Sequence, residues 1–147
     1  LLSRSGTILG LDGNKMSKSR GNTIELGMTA DETAKLLKRA VTDSDRHITY
    51  DPVNRPEVSN LVNIAAMCLD RTPEDVAEEI GDGGGGGLKK LATAAVNDHF
   101  AAHRARRAEL MADPGALRDV LRAGNERANA VAEATLAEVR QAMSMDY

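Results

Sequence analysis

The stretch Leu11-Asp12-Gly13-Asn14-Lys15-Met16-Ser17-Lys18-Ser19-Arg20-Gly21-Asn22 carries no apolar period. It is therefore neither the buried face of a helix nor a half-buried strand. It reads as a mobile, polar, cationic loop that follows a turn signal at Asp12-Gly13-Asn14. Two lysines alternate with two serines. Ammonium charge, hydroxyls and freed backbone N–H groups together suit a polyanion. A solvated surface loop has the same composition, and these residues alone leave both readings open.

Outward from the loop, the chain reads as helical. Upstream, Thr7-Ile8-Leu9 is a β-compatible run ended by Gly10, too short to make a sheet alone. It is expected to be the last strand, or a strand-like approach, of a domain whose rest is absent. Thr23-Ile24-Glu25-Leu26 is a second short extended candidate. Thr29-Ala30-Asp31-Glu32 fits a capping box that opens a helix near 30–41, with Leu36, Leu37 and Ala40 as its stripe. Thr42-Asp43-Ser44 breaks that helix. Asp51-Pro52 and Arg55-Pro56 punctuate a linker in which Arg55 is expected to pair with an acid.

Pro56 suits the first position of a helix to about Leu69, with Val58, Leu61, Val62, Ala65 and Leu69 inward. Thr72-Pro73-Glu74-Asp75 starts a short helix that ends by Ile80. Gly81 to Gly87 then reads as a flexible connector. Leu88 to about Ala112 is expected as one long helix, with Leu91, Ala95, Phe100 and Leu110 facing inward. Asp113 caps a last helix from Pro114 to about Met143, whose stripe includes Leu117, Leu121, Gly124, Ala128 and Val131.

Composition agrees with packed helices. The chain has 147 residues, 41% apolar and only 2% aromatic, so alanine and branched aliphatics must fill the core. Net charge is −3, which requires any nucleic-acid contact to come from a local basic patch. Cys68 is the single cysteine and has no internal disulfide partner. No apolar run approaches a membrane span. A cytoplasmic location, with no membrane partner, is the expectation.

Three further patterns need weighing. Gly81 to Gly86 contains a formal G-x-G-x-x-G, but it follows a helical segment rather than a strand, so a dinucleotide site is not expected. His99 and His103 share helical spacing but lack further ligands for zinc. His103-Arg104-Ala105-Arg106-Arg107 is the densest basic cluster, with Lys89, Lys90, Arg118 and Arg122 on flanking helical segments. Such a run is either a solvated face or a phosphate-binding one; guanidinium forks suit the second.

The string Gly10-Leu11-Asp12-Gly13 followed by Lys15-Met16-Ser17-Lys18-Ser19 resembles the KMSKS loop of class I aminoacyl-tRNA synthetases. Thr42-Asp43-Ser44, Ile48-Thr49-Tyr50-Asp51, Arg55-Pro56-Glu57-Val58-Ser59-Asn60-Leu61-Val62, Leu88-Lys89-Lys90 and Asn125-Glu126-Arg127-Ala128 are similar to the tryptophanyl branch of that family. The resemblance implies a mainly α chain: a helical bundle preceded by the tail of a nucleotide-binding α/β domain that is otherwise absent. It implies residues 1–28 as that tail, 29–55 as connecting helix and hinge, and 56–147 as a helical anticodon-binding domain.

By the same resemblance, Lys15 and Lys18 are catalytic contacts to ATP phosphates. Ile8, Met16, Ser17 and Ser19 complete the ATP-binding set, and Mg²⁺ arrives with ATP. Lys89, Lys90, Arg104, Arg106, Arg107, Arg118 and Arg122 are the implied tRNA contacts. The implied partners are tRNA(Trp), ATP, L-tryptophan and a missing N-terminal catalytic half, with a homodimer for the full enzyme only. The isolated 147 residues are then expected to be inactive. The alternative is a stand-alone truncated paralogue that binds tRNA or a partner without catalysis. Glu57 departs from the family's glycine after Arg-Pro. Ala102-His103 departs from its Pro-Ile, which predicts a straighter long helix.

Overall fold

The computed structural model describes residues 8–145. It divides into two compact units, Leu1–Arg104 and Ala105–Tyr147. Helices dominate: α1 (Ala30–Lys38), α2 (Pro56–Leu69), α3 (Pro73–Ile80), α4 (Gly84–His99), α5 (Ala101–Ala112) and α6 (Pro114–Ala142). There is no strand among the described residues.

Local chemistry explains where each helix begins. The Thr29 Oγ1 accepts from the Glu32 amide at 3.2 Å, and the Glu32 carboxylate accepts from the Thr29 amide at 2.8 Å. This reciprocal pair satisfies two donors that the first turn of α1 leaves orphaned. Pro56 opens α2, where its missing N–H loses no helical bond. Thr72 caps α3 through the Asp75 amide, and Asp113 caps α6 through the Ala116 amide.

The core of the first unit lies where α4 packs against α1 and α2, with α3 alongside. Leu37, Val58, Leu61, Val62, Val76, Leu88 and Val96 are almost completely buried. Ala65, Ala66, Ala92 and Ala95 fill the space between them, so aliphatic side chains supply the core that rings do not. Leu69, expected inward, is 38% exposed at the end of α2.

Buried polar groups on α2 tie down two outlying chain segments, one just before the polar loop and one just before α2. The Asn60 amide donates to the Leu9 carbonyl at 3.1 Å and accepts from the Leu9 N–H at 2.9 Å. Ser59 Oγ accepts from the Asp51 amide at 2.8 Å. The strand expected at Thr7-Ile8-Leu9 is absent at Ile8 and Leu9, because a side-chain amide, not a neighbouring strand, takes the backbone bonds of Leu9. Thr7 lies outside the described residues. Thr23–Leu26 is likewise not extended pairing structure; it leads into a turn closed by Met28 N–H to the Glu25 carbonyl.

The glycine run is not a flexible connector. Gly81–Gly83 forms a 3-10 turn, and α4 itself begins at Gly84. The 42–48 segment explains this. Gly84 N–H donates to the Arg46 carbonyl at 2.9 Å, and Ile48 N–H donates to the Gly81 carbonyl at 2.8 Å. A Cβ on Gly85 would sit 2.7 Å from Thr42 Oγ1. Gly84 has φ of +65°, which favours glycine. Tertiary packing thus overrides the low helix propensity of glycine.

The long helix expected over Leu88–Ala112 is also interrupted. Phe100 leaves helical geometry, with φ −93° and ψ 5°, between α4 and α5. Its ring packs on the core and meets His99 and His103 edge-on, with centroids 5.0 and 6.2 Å apart. The interruption occurs without the family's proline.

In the unit Ala105–Tyr147, no described residue is buried. The expected inward stripe of α6 is exposed, with Val120, Leu121 and Val131 each more than 60% accessible. Arg106–Glu109 and Arg122–Asp119 form exposed i,i+3 pairs along its helices.

A clasped lysine–serine loop as the candidate functional site

Residues 10–22 close on themselves. Leu11 N–H donates to the Asn22 carbonyl at 2.9 Å, and Gly10 N–H donates to the Asn14 carbonyl at 2.7 Å. The Asn22 side chain sits at the centre and is 5% exposed. Its Oδ1 accepts from the Ser17 N–H at 2.9 Å. Its Nδ2 donates to Asp12 Oδ1 at 2.7 Å and to the Lys15 carbonyl at 3.2 Å. Asp12 Oδ1 also accepts from the Asn14 N–H. These bonds, led by that from Asn22, hold the Asp12 carboxyl below its ordinary pKa.

The lysines and serines of the motif project from this clasp. Asn14, Lys15, Met16, Ser17 and Arg20 line one open depression. Lys18 to Arg20 form a 3-10 turn ended by Gly21 at φ 62°. Ser17 Oγ and Ser19 Oγ lie 2.8 Å apart. Lys15, Lys18 and Arg20 are exposed, and none has a carboxylate partner among the described residues. Three uncompensated cations beside two hydroxyls form a donor set for a polyphosphate. Among the described residues no group of three His, Cys, Asp or Glu could hold a metal. Ile8 is half-buried at the start of the described chain.

The loop is anchored on both sides. Leu11 is in the core, and its carbonyl accepts from Val41 N–H just after α1 at 2.8 Å. Beyond that lies a second network. Arg55 donates from Nε and a terminal nitrogen to both Asp43 oxygens, at 2.7 and 2.8 Å, and to the His47 carbonyl and Thr49 Oγ1. The fork beside Asp43 lowers that carboxyl's pKa and raises the guanidinium's. Arg55 thus has the acidic partner expected of it.

The basic residues fall into different environments. Lys89 and Lys90 are on α4; Arg106, Arg107, Arg118 and Arg122 are exposed in the second unit. Arg104 is distinct. Its guanidinium donates to the Met28 carbonyl at 3.0 Å, Thr33 Oγ1 at 3.0 Å and Asn97 Oδ1 at 2.9 Å. Its fork is committed to the start of α1. Cys68 is half-buried and unbridged, and burial raises its thiol pKa.

The sequence pattern gives no role to Asn22 or Arg20, and makes Gly10 only the end of a β-compatible run. A buried asparagine closing a polar loop has no short-range signature. The Gly10 signal lies in the fold: a Cβ there would stand 2.3 Å from Asn22 Nδ2.

This loop and the helices behind it define a class. The family described as tRNA synthetases class I (W and Y) matches residues 2–101, and the chain belongs to that family. Within it, the likeness is to tryptophanyl-tRNA synthetases. The chain is 41% identical over 131 residues to the tryptophan–tRNA ligase of Thermosynechococcus vestitus, covering 87% of this chain and 40% of that protein. It is 40% identical over 115 residues to tryptophan–tRNA ligase 1 of Streptomyces coelicolor, covering 78% of this chain and 34% of that protein. The crystal structure of the Campylobacter jejuni tryptophanyl-tRNA synthetase, complexed with ADP and tryptophan, superposes with a TM-score of 0.74 at 28% identity. That alignment covers 93% of this chain and 43% of the other. The chain therefore spans about two-fifths of the length of such relatives.

Proposed function

We propose that the chain supplies the lysine–serine loop and the helical region of a tryptophan–tRNA ligase. Lys15 and Lys18 hold the β- and γ-phosphates of ATP, with Met16, Ser17, Ser19 and the Ile8 backbone completing the nucleotide contacts. As the tryptophan carboxylate attacks the α-phosphorus, negative charge grows on the departing pyrophosphate. The two ammonium groups stabilise that charge more than they stabilise bound ATP, which is what lowers the barrier. Mg²⁺ bound with the nucleotide would share the phosphate charge. The observation that carries the reading is the trio of uncompensated cations on a loop clasped by buried Asn22, in a chain of this family.

In this reading residues 1–28 are the tail of a catalytic domain, 29–55 a connecting helix and hinge, and 56–147 the part that meets the anticodon arm of tRNA(Trp). Lys89, Lys90, Arg106, Arg107, Arg118 and Arg122 are the phosphate contacts. Arg104 instead commits its guanidinium to Met28, Thr33 and Asn97. The tryptophan pocket and the other walls of the ATP site belong to a nucleotide-binding half outside these residues, as does the homodimer interface. The reaction proceeds in the cytoplasm.

Tryptophan-dependent ATP–pyrophosphate exchange tests the reading, with the chain alone and with a nucleotide-binding half supplied. Exchange only in the second case, abolished by Lys15→Ala with Lys18→Ala, is the expected result. Exchange that survives the double substitution overturns it. If no supplied half restores exchange while tRNA still binds, the non-catalytic binding module replaces the ligase reading.

A further inference from the structure

We propose that Asn22 is a positioning residue for the polyphosphate site, holding the Lys15–Ser19 backbone in its binding conformation through Ser17, Lys15 and Asp12. The proposal rests on the phosphate-binding reading of the loop and goes beyond it, because Asn22 touches no ligand in that reading. Three observations carry it. Asn22 is buried in a loop whose lysines are exposed. All its side-chain bonds end on the loop: one accepted from the Ser17 N–H, one donated to the Lys15 carbonyl, one donated to Asp12. Gly10 leaves room for it, since any Cβ there would occupy its amide.

The physical consequence concerns geometry rather than charge. Lys15 and Lys18 flank Ser17, the residue whose amide Asn22 holds. Fixing the two backbone points between them removes conformations in which the ammonium groups diverge. The ordering is done before a ligand arrives, so less affinity is lost on binding. Asp12 has the same function from the other side. It is an acid beside a polyanion site, which opposes anion binding by charge but supports it by holding Asn22 and Asn14.

The test is titration of the full 147-residue chain with inorganic triphosphate, followed by amide NMR shifts of Lys15, Ser17 and Lys18. Asn22→Ala leaves net charge unchanged and should weaken binding on the order of tenfold, less than the roughly 10²-fold that a full 1 Å misplacement of reacting groups can cost a rate. Asp12→Ala removes a nearby negative charge. Charge alone then predicts tighter binding; positioning predicts weaker binding. The Asp12→Ala result keeps the proposal testable should Asn22→Ala fold poorly, and thermal melting identifies folded variants. Wild-type affinity in folded Asn22→Ala, or tighter binding by Asp12→Ala, overturns the proposal. Lys15→Ala with Lys18→Ala separates the two levels: if that variant binds like wild type, the phosphate reading itself fails.

Discussion

Alanine at Gly85 and at Gly86 should move stability in opposite directions. Both positions lie in the first turn of α4, where alanine exceeds glycine by up to about 1 kcal/mol in helix propensity. Gly86 is exposed, and a Cβ there meets nothing within 4 Å. Gly86→Ala should therefore stabilise by about 0.5 kcal/mol, the lower part of that range because the turn is terminal. At Gly85 the new Cβ stands 2.7 Å from Thr42 Oγ1 and 3.2 Å from Thr42 Cβ. Overpacking of this kind costs roughly 1–3 kcal/mol, against the same propensity gain. The net expectation is destabilisation by about 1 kcal/mol. Urea unfolding at constant m-value reads the difference directly. Thr42→Ala in the Gly85→Ala background should recover part of the loss, giving a coupling energy between the two sites. Equal stabilisation by both alanines would refute the claim that the glycine run is there for close packing on the 42–46 segment.

Arg55→Ala removes four hydrogen bonds from a guanidinium that is 12% exposed, but its Asp43 partner is 40% exposed and solvent discounts the pair. A loss of about 2–3 kcal/mol in thermal unfolding is expected, with Arg55→Lys recovering less than half for want of a fork. Asn60→Ala leaves both Leu9 backbone groups without their partner and should cost about 2 kcal/mol, measured by denaturant. The pH dependence has a definite sign. Hydrogen bonds and, for Asp43, the Arg55 fork hold the Asp12, Asp43 and Asp51 carboxyls below their ordinary value of 3.8 in the folded state, which therefore holds fewer protons. Their stabilisation is full above that value and is lost as pH falls through the depressed folded values. Melting temperature should thus fall below pH about 4, and Asp43→Asn should flatten part of that slope. A tRNA mobility shift should weaken with salt and be reduced by Arg107→Ala with Arg118→Ala, while Arg104→Ala should lower melting temperature as well.

Much of this was legible in the residues, for identifiable reasons. Thr29 with Glu32, Pro56, Thr72 and Asp113 are short-range devices whose partners lie within three positions, so a linear reading finds them. The polar loop was recognisable from its own residues, but its clasp was not. Asn22 acts from the far end of the loop, and its importance depends on burial that no local pattern encodes. The glycine run failed for the reverse reason: its local signal is flexibility, and the segment at Thr42–Ile48 overrules it. Arg104 was read by charge with its neighbours, yet its bonds run to residues more than 70 positions earlier. Periodicity drew one helix through Phe100, whereas the backbone leaves helical geometry there while its ring packs on the core.

The Arg104 contacts also bear on the order in which the chain assembles. Met28 precedes Arg104 by 76 residues and Thr33 precedes it by 71. A ribosome adding about 5–20 residues per second makes Arg104 several seconds after α1. During that interval α1 has its own capping box but not the guanidinium beside it. Leu9 meets Asn60 51 positions later in the same way. Such separations raise contact order, and the loops they close set the folding rate. The lysine–serine loop lies in sequence between Leu9 and Met28, so the chain on each side of it waits for a partner made tens of residues later.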